Sequence, residues 1–335
     1  MTKKGGERVT YSLEFVPEKL KQHLLSEPSI LKQPNLIQIF LLRQTHDYSI
    51  FRTEETRELN VAILPKAIND MEPTTRIAML PSKQKAPENR QFNLLVRSFA
   101  QEHKLLNKEQ QRCELKDNLC MSCPRCILFG AVSTETRRAT SRWNIKHRVE
   151  YSTAYSLEPW EEISEITTFN AVSTVTQSTG QALGYVESVS PLANFPSIVT
   201  LTAITAEELI AFLKTLMTCK SYGAETRTKG DMVNVIVGIA AGYEELLTPL
   251  EYNLELCNRD YKEDPVQATY EIIKKYRQFA AFENKVATLD PEEFRIFIEN
   301  VRKFDFTEDF IQKMYKDSTN FVAQVERWAA EESRK

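Results

Sequence analysis

The sequence predicts an α+β protein, and three neighbouring patterns predict it. Val199, Leu201 and Ala203 alternate with Thr200 and Thr202; Leu209, Phe212, Leu213, Leu216 and Met217 recur at helical spacing; and Val233, Val235, Val237 and Ile239 alternate again. A period of two marks a strand with one face in the core, and a period near 3.6 marks one face of a helix. Thr205 with Glu208 forms a capping box that fixes the start of the helix. Strand, helix, strand over this length is half of a ferredoxin-like, RRM-type sheet.

Upstream, the apolar run Leu36 to Leu42, a turn near His46 and Asp47, and the returning Tyr48, Ile50 and Phe51 predict a hairpin, with a further short strand at Asn60 to Leu64. Pro65, Pro73, Pro81 and Pro87 then predict a surface loop over 65–91, followed by a helix from Phe92 to Leu106. Downstream, Asp264 before Pro265, Asp290 before Pro291, and Thr307 each supply an N-cap where an apolar period begins. Phe294, Phe297, Ile298 and Val301 form one stripe, which is assigned packing or a subunit contact and no chemistry.

With 335 residues, 42% hydrophobic and 27% charged, and a mean hydropathy of -0.39, the chain falls in the class that buries an ordinary core. The longest apolar stretches are too short to cross a membrane, and the opening residues have no signal-peptide core, so the expectation is a cytoplasmic protein with no membrane partner. The formal charge of -3 confines any attraction for nucleic acid to local patches. One lies between Arg125 and Arg148, where six basic residues face one acid. From Glu283 to Lys335 twelve acidic residues face nine basic ones, which predicts a solvated or protein-facing tail.

Four of the six cysteines, Cys113, Cys120, Cys123 and Cys126, fall within fourteen residues. Cys-x-x-Cys spacing converges thiolates on one tetrahedral ion, and four thiolates close the site, which implies structure rather than catalysis. Zinc is favoured; an iron–sulfur cluster is the rival, since three cysteines at two-residue gaps also occur in ferredoxins, with the fourth downstream rather than upstream. In a small loop-rich knuckle the metal would stand in for a core, and losing the ligands would melt that segment locally. Cys219 and Cys257 read as ordinary thiols.

Beyond the knuckle, Arg137, Arg138, Arg142, Lys146 and Arg148 surround Trp143. Guanidinium forks match phosphate oxygens and an interleaved indole offers a base a stacking face, a combination suited to single-stranded RNA. A weaker set, Lys220, Arg227 and Lys229, leads into the strand at Met232. No Gly-rich phosphate loop, no His-Glu-x-x-His and no legible catalytic triad is present, which argues for a binder rather than an enzyme. The alternative is a metal-dependent RNA-processing nuclease with an accessory zinc knuckle, using Asp70 or Asp231.

The order of these parts is distinctive: Cys120-Met-Ser-Cys-Pro-Arg-Cys-Ile-Leu-Phe-Gly130, then Ala-Val, the arginine-rich stretch, a Thr-rich hairpin, and Gly-Ala-Glu-Thr-Arg-x-Lys-Gly-Asp between helix and strand. It resembles the backbone subunit of the type I-D CRISPR effector complex, from the first hairpin to about Gly242. The resemblance implies an RRM-like palm that polymerises with further copies of itself in a helical filament along CRISPR RNA. Beside other effector subunits, it would leave the guide free to pair with target DNA. It implies RNA contacts at Arg137, Arg138, Arg142, Trp143, Lys146, Arg148, Arg227 and Lys229, and a thumb hairpin within Thr168 to Pro191. The expected organisation is therefore 1–112 as the N-terminal part of the palm with the loop 65–91, then 113–150 as knuckle and basic segment. The thumb-like hairpin follows at 151–194, the palm's strand, helix and strand at 195–243, and a helical tail at 244–335.

Overall fold

The computed structural model describes residues 11–51, 58–114, 118–132, 144–172, 175, 179–223 and 228–332. In chain order, α1 (Glu18–Lys21) precedes β1 (Leu36–Thr45), β2 (Val61–Ala67), β3 (Asp70–Met79) and α2 (Pro81–Glu102). The short helices α3 (Lys108–Gln111) and α4 (Pro124–Phe129) lead to β4 (Val149–Tyr151), β5 (Ala154–Tyr155) and α5 (Trp160–Ile163). Next come β6 (Ser164–Val172), β7 (Thr179–Val189), β8 (Asn194–Thr202), α6 (Ala206–Thr218) and β9 (Met232–Gly242). The last part holds α7 (Pro249–Cys257), α8 (Pro265–Arg277), a 3-10 turn at Glu283–Lys285, β10 (Ala287–Thr288), α9 (Pro291–Lys303) and α10 (Glu308–Glu332).

The main sheet runs β10-β9-β1-β8-β4, with every neighbouring pair antiparallel. Within it, β1, α2, β4, β8, α6 and β9 trace a β-α-β-β-α-β path, and β9, β1, β8 and β4 stand side by side as its fourth, first, third and second strands. This is the ferredoxin-like, RRM-type sheet the sequence predicts. Thr205 caps α6 as expected, its side chain accepting from the Glu208 amide while the Glu208 side chain accepts from the Thr205 amide.

Alternation along β1 sends Ile37, Ile39 and Leu41 into one cluster with Phe92 and Val96 of α2 and Leu209, Phe212 and Leu216 of α6. Phe40 and Leu42 point the other way, into Tyr252 and Leu256 of α7 and Ile272 and Ile273 of α8. Each fully buried side chain of this size contributes about 1.5–3 kcal/mol. Helices thus pack on both faces of the sheet, and the centre of its second face, open in a bare RRM-type sheet, is covered here.

Three sequence expectations are corrected. The segment returning after His46 is not the partner of β1, whose neighbours are β8 and β9; Ser49 instead bridges Val189. Residues 65–91 are not a loop: Pro65 and Pro73 face each other in the β2–β3 hairpin, Pro81 opens α2 at its first turn and Pro87 lies inside that helix. Pro is tolerated there because β2 is an edge strand and β5 pairs with β3 only at Ala78 and Met79. Residues 244–335 are helical as expected, but the acidic stretch Glu283 to Lys335, expected to be solvated or protein-facing, packs on the chain's own core. α7 and α8 cover one sheet face, while Phe294, Phe297 and Val301 of α9 and Phe310, Ile311 and Met314 of α10 enter the main core.

Candidate metal centre and nucleic-acid interface

The knuckle grows from two short helices. Asn107 caps α3, Cys113 follows it, and Cys123 is the N-cap residue of α4, whose first turn carries Cys126. The four sulfurs of Cys113, Cys120, Cys123 and Cys126 lie within 4.8 Å of one another and all four residues are buried. Cys113 Sγ is 3.8 Å from Cys123 Sγ and 3.6 Å from Cys126 Sγ. A tetrahedral ion with metal–sulfur bonds of ~2.3 Å sets sulfurs about 3.8 Å apart, so this donor set is already at the right spacing. Hydrogen bonds from Cys120, Cys123 and Cys126 drive the Cys113 thiol far down. Hydrogen bonds to Cys113 and Cys120 push the Cys126 thiol far up. Sulfurs this close cannot all ionise together unless a cation sits among them.

Neighbouring side chains support the site. Arg125 donates from Nη1 toward Cys126 Sγ at 3.9 Å and from Nε to Asn89 Oδ1 of α2 at 2.8 Å. Arg97 donates to the Cys113 carbonyl at 3.1 Å, and Gln110 donates to the Ser122 carbonyl at 2.9 Å. Tyr315 of α10 keeps its proton far above the usual range, first through burial and then through the charges of Cys123, Cys120 and Cys113. Phe129, at the end of α4, packs on Phe92 and Phe212 with ring centroids 5.4 and 6.2 Å apart. The cysteines, Ile127, Leu128 and Phe129 belong to the main core, so loss of the ligands is expected to reach beyond the local melting that the sequence suggests.

Gly130 ends α4 at φ +86, where a Cβ would sit 2.9 Å from the His147 amide nitrogen. Glycine thus lets the chain close on itself, with Ala131 and Ile145 exchanging backbone hydrogen bonds across the base of the basic segment. Arg137, Arg138, Arg142, Trp143 and Arg227 lie outside the described residues. Lys146 is exposed at the segment's foot. Lys229 is exposed too, paired with Asp231 at 2.5 Å.

Arg148, expected on the RNA, is instead 4% exposed. Its Nη1 donates to Glu208 Oε2 and to the Ala203 carbonyl, each at 2.8 Å, its Nη2 pairs with Glu208 Oε1, and its Nε donates to the Ile127 carbonyl at 3.3 Å. It ties α4, β8 and the N-terminus of α6 together, so its charge is spent inside the fold. Arg125, also counted in the basic run, is buried as well.

Two cations that the sequence reading missed stand at the same edge. Burial and then the charge of Arg125 lower the proton affinity of Lys85 on α2. Burial and then the charge of Lys85 lower that of His147, with Lys32 and Lys146 acting in the same direction. Lys32 also holds Glu150 at 2.8 Å. No local pattern links residues 32, 85 and 146; only the sheet gathers them.

The hairpin of β6 and β7 pairs Ser164 with Val189 through Val172 with Thr179. At its base a cavity of about 540 Å3 is lined by Trp160, Ile166, Tyr185 and Glu187, and Trp160 Nε1 donates to Glu187 Oε1 at 2.7 Å. Asp70, the nuclease candidate, opens β3 just after the β2–β3 turn, and its carboxylate accepts from the Glu72 amide at 3.0 Å.

The comparison with curated proteins gives no match. A crystal structure of Csc2 from Thermofilum pendens is similar to this chain with a TM-score of 0.65 and 19% identity, over 94% of this chain and 96% of that one. A chain of a CRISPR RNA-guided surveillance complex is similar with a TM-score of 0.48 and 11% identity, over 80% of this chain and 98% of that one. The model of the Csc2 CRISPR family matches residues 19–334, and the chain belongs to that family.

Proposed function

We propose that this chain is a non-catalytic backbone subunit of a type I-D CRISPR effector complex in the cytoplasm. It binds CRISPR RNA, assembles copy by copy in a helical filament beside other effector subunits, and presents the guide for pairing with target DNA. Family membership over residues 19–334 carries this reading. The cations at the β4 edge, Lys146 with Lys85 and Lys32, support it; in the sequence Arg137, Arg138, Arg142 and Trp143 precede Lys146, and Arg227 and Lys229 form a second set. Because α7 and α8 cover the second sheet face, RNA runs along this edge and its loops rather than across the strands. The β6–β7 hairpin acts as the thumb. The four cysteines hold zinc, which braces the segment that leads into the basic run.

The test is expression with candidate partner subunits, followed by sequencing of the RNA that co-purifies and by binding of labelled guide RNA across a salt series. Affinity should fall steeply with salt, and replacing Arg137, Arg138 and Arg142 with alanine should flatten the slope by roughly one for each phosphate no longer gripped. Protein that binds no RNA at low ionic strength would sink the proposal. RNA cleavage with Mg²⁺ that Asp70→Ala abolishes would replace it with the nuclease reading.

A further inference from the structure

A second polar cavity, of about 440 Å3, opens at the opposite edge of the main sheet from β4, beside β10. It is lined by Lys19 and His23 from the start of the chain, Tyr243 after β9, Arg277 at the end of α8, Lys285 in the 3-10 turn and Asp290 at the cap of α9. Two of its buried nitrogens lack hydrogen-bond partners among the described residues. His23 is 5% exposed, its ring is edge-on to Tyr243 at 5.8 Å, and its Nδ1 makes no hydrogen bond to them. Arg277 Nε is likewise buried and unpartnered among them. The Lys285 ammonium stands 5.8 Å above the Tyr243 ring.

Asp290 is the one carboxylate in the wall among the described residues, and it is already committed: its Oδ1 accepts from the Glu292 and Glu293 amides at 3.0 and 2.9 Å. Lys19 is shared with Glu293 at 2.8 Å. What remains is a cationic wall with neutral polar groups, Gln22 and Asn284 among them, around a space in the size class of whole small molecules. Buried polar nitrogens without partners cost stability, and two of them facing one cationic cavity point to an acceptor-rich ligand that satisfies both. Phe282 beside Tyr243, with ring centroids 6.4 Å apart and its own ring exposed, adds a surface on which a base can stack.

We propose that this cavity binds a nucleotide through its phosphate, with Arg277 and Lys285 on the phosphate oxygens, His23 as a neutral donor, and the base against Tyr243 and Phe282. The phosphate can come from a free nucleotide or from a single strand; the chemistry is the same. This site is separate from the guide-binding edge, and it does not depend on that assignment.

The experiment uses the full chain, freed of nucleic acid at high salt, with nitrogen-labelled histidine. Four histidines make the His23 ring resonances assignable. Inorganic phosphate, adenosine monophosphate, and ten-nucleotide RNA and DNA single strands are titrated separately. Saturable movement of the His23 signals is expected, at least tenfold weaker in affinity in Lys285→Gln and in Arg277→Gln, with melting temperatures unchanged. Saturation by adenosine monophosphate identifies a free-nucleotide site, and saturation by the oligonucleotides alone identifies a strand-borne phosphate. His23 signals that ignore all four probes, or that respond equally in both variants, overturn the proposal. Loss of guide binding on changing Arg137 and Arg138 while the His23 response persists separates the two sites.

Discussion

The cysteine knuckle and the β6–β7 hairpin are both insertions in the β-α-β-β-α-β path, yet one turns inward and the other outward. The knuckle sends Ile127, Leu128 and Phe129 into the main core and even buries Arg125. The hairpin leaves Ile166 63% exposed and Tyr185 41% exposed. A two-stranded ribbon is marginal on its own, and this one is anchored at its foot by Val189 in a small cluster with Phe51 and Phe195. An insertion whose apolar residues face inward serves the fold, and one whose apolar residues face outward serves a contact. The two should therefore respond differently to mutation and to acid.

The largest effect should come from the metal ligands. Cys123→Ser or Cys126→Ser, or removal of the ion with a strong chelator, is expected to destabilise the whole chain by more than about 4 kcal/mol, because loss of a metal site here also unseats Phe129 and α10. Denaturant titration with metal analysis checks this. A chelated protein that unfolds at the same midpoint as the metal-bound one would show that the core holds the knuckle unaided.

Next in size is Arg148→Ala, which strands Glu208 in the core and is expected to cost about 3–5 kcal/mol. The double change with Glu208→Ala should recover part of that loss. Lys146→Ala, two residues away and exposed, should leave stability within about 0.5 kcal/mol while lowering the salt dependence of RNA binding by about one unit of slope. If Arg148→Ala instead unfolds no more easily than Lys146→Ala, the division between inward and outward charge fails.

That pair of residues shows where sequence reading reaches its limit. Thr205 with Glu208, the alternation in β8 and β9, and the cysteine spacing were legible because each is a local pattern that one element satisfies. Arg148 looked like its neighbours because its partner lies sixty residues away on α6. The same distance hides the partners of β1, which are β8 and β9, so in the sequence a nearby apolar segment looks like its mate. Prolines misled for another reason: Pro65 and Pro73 occupy edge positions and Pro81 a helix first turn, places where a missing amide costs nothing. Lys32 and Lys85 carried no signal at all, since neither belongs to an arginine-rich run and only the fold sets them near His147.

For the outward insertion, Ile166→Ser combined with Tyr185→Ser should leave the unfolding midpoint unchanged within about 0.5 kcal/mol, as exposed positions do. Assembly of copies on a long RNA, followed by sedimentation, should weaken. A large fall in stability with assembly intact would mean that these side chains are held by the chain's own fold, and the contrast between the insertions would disappear.

The smallest effect is expected with acid, and its direction follows from His147, which sits against the end of the knuckle. Burial and then Lys85 hold its proton affinity below the ordinary 6.5. The unfolded chain therefore takes up a proton at a pH where the folded chain does not, so this contribution to stability is complete above about 6.5, declines as the pH falls from there toward the lowered folded value, and then levels off. His23, lowered by burial and then by Lys285, acts in the same direction. No histidine lies between Ser164 and Val189. Hydrogen exchange at mildly acidic pH should therefore show weakened protection at Ile127 to Ala131 and little change along β6 and β7 relative to neutral pH. His147→Gln should reduce the knuckle's share. Equal loss in both regions would place the acid-sensitive charge elsewhere and leave the two insertions indistinguishable by pH.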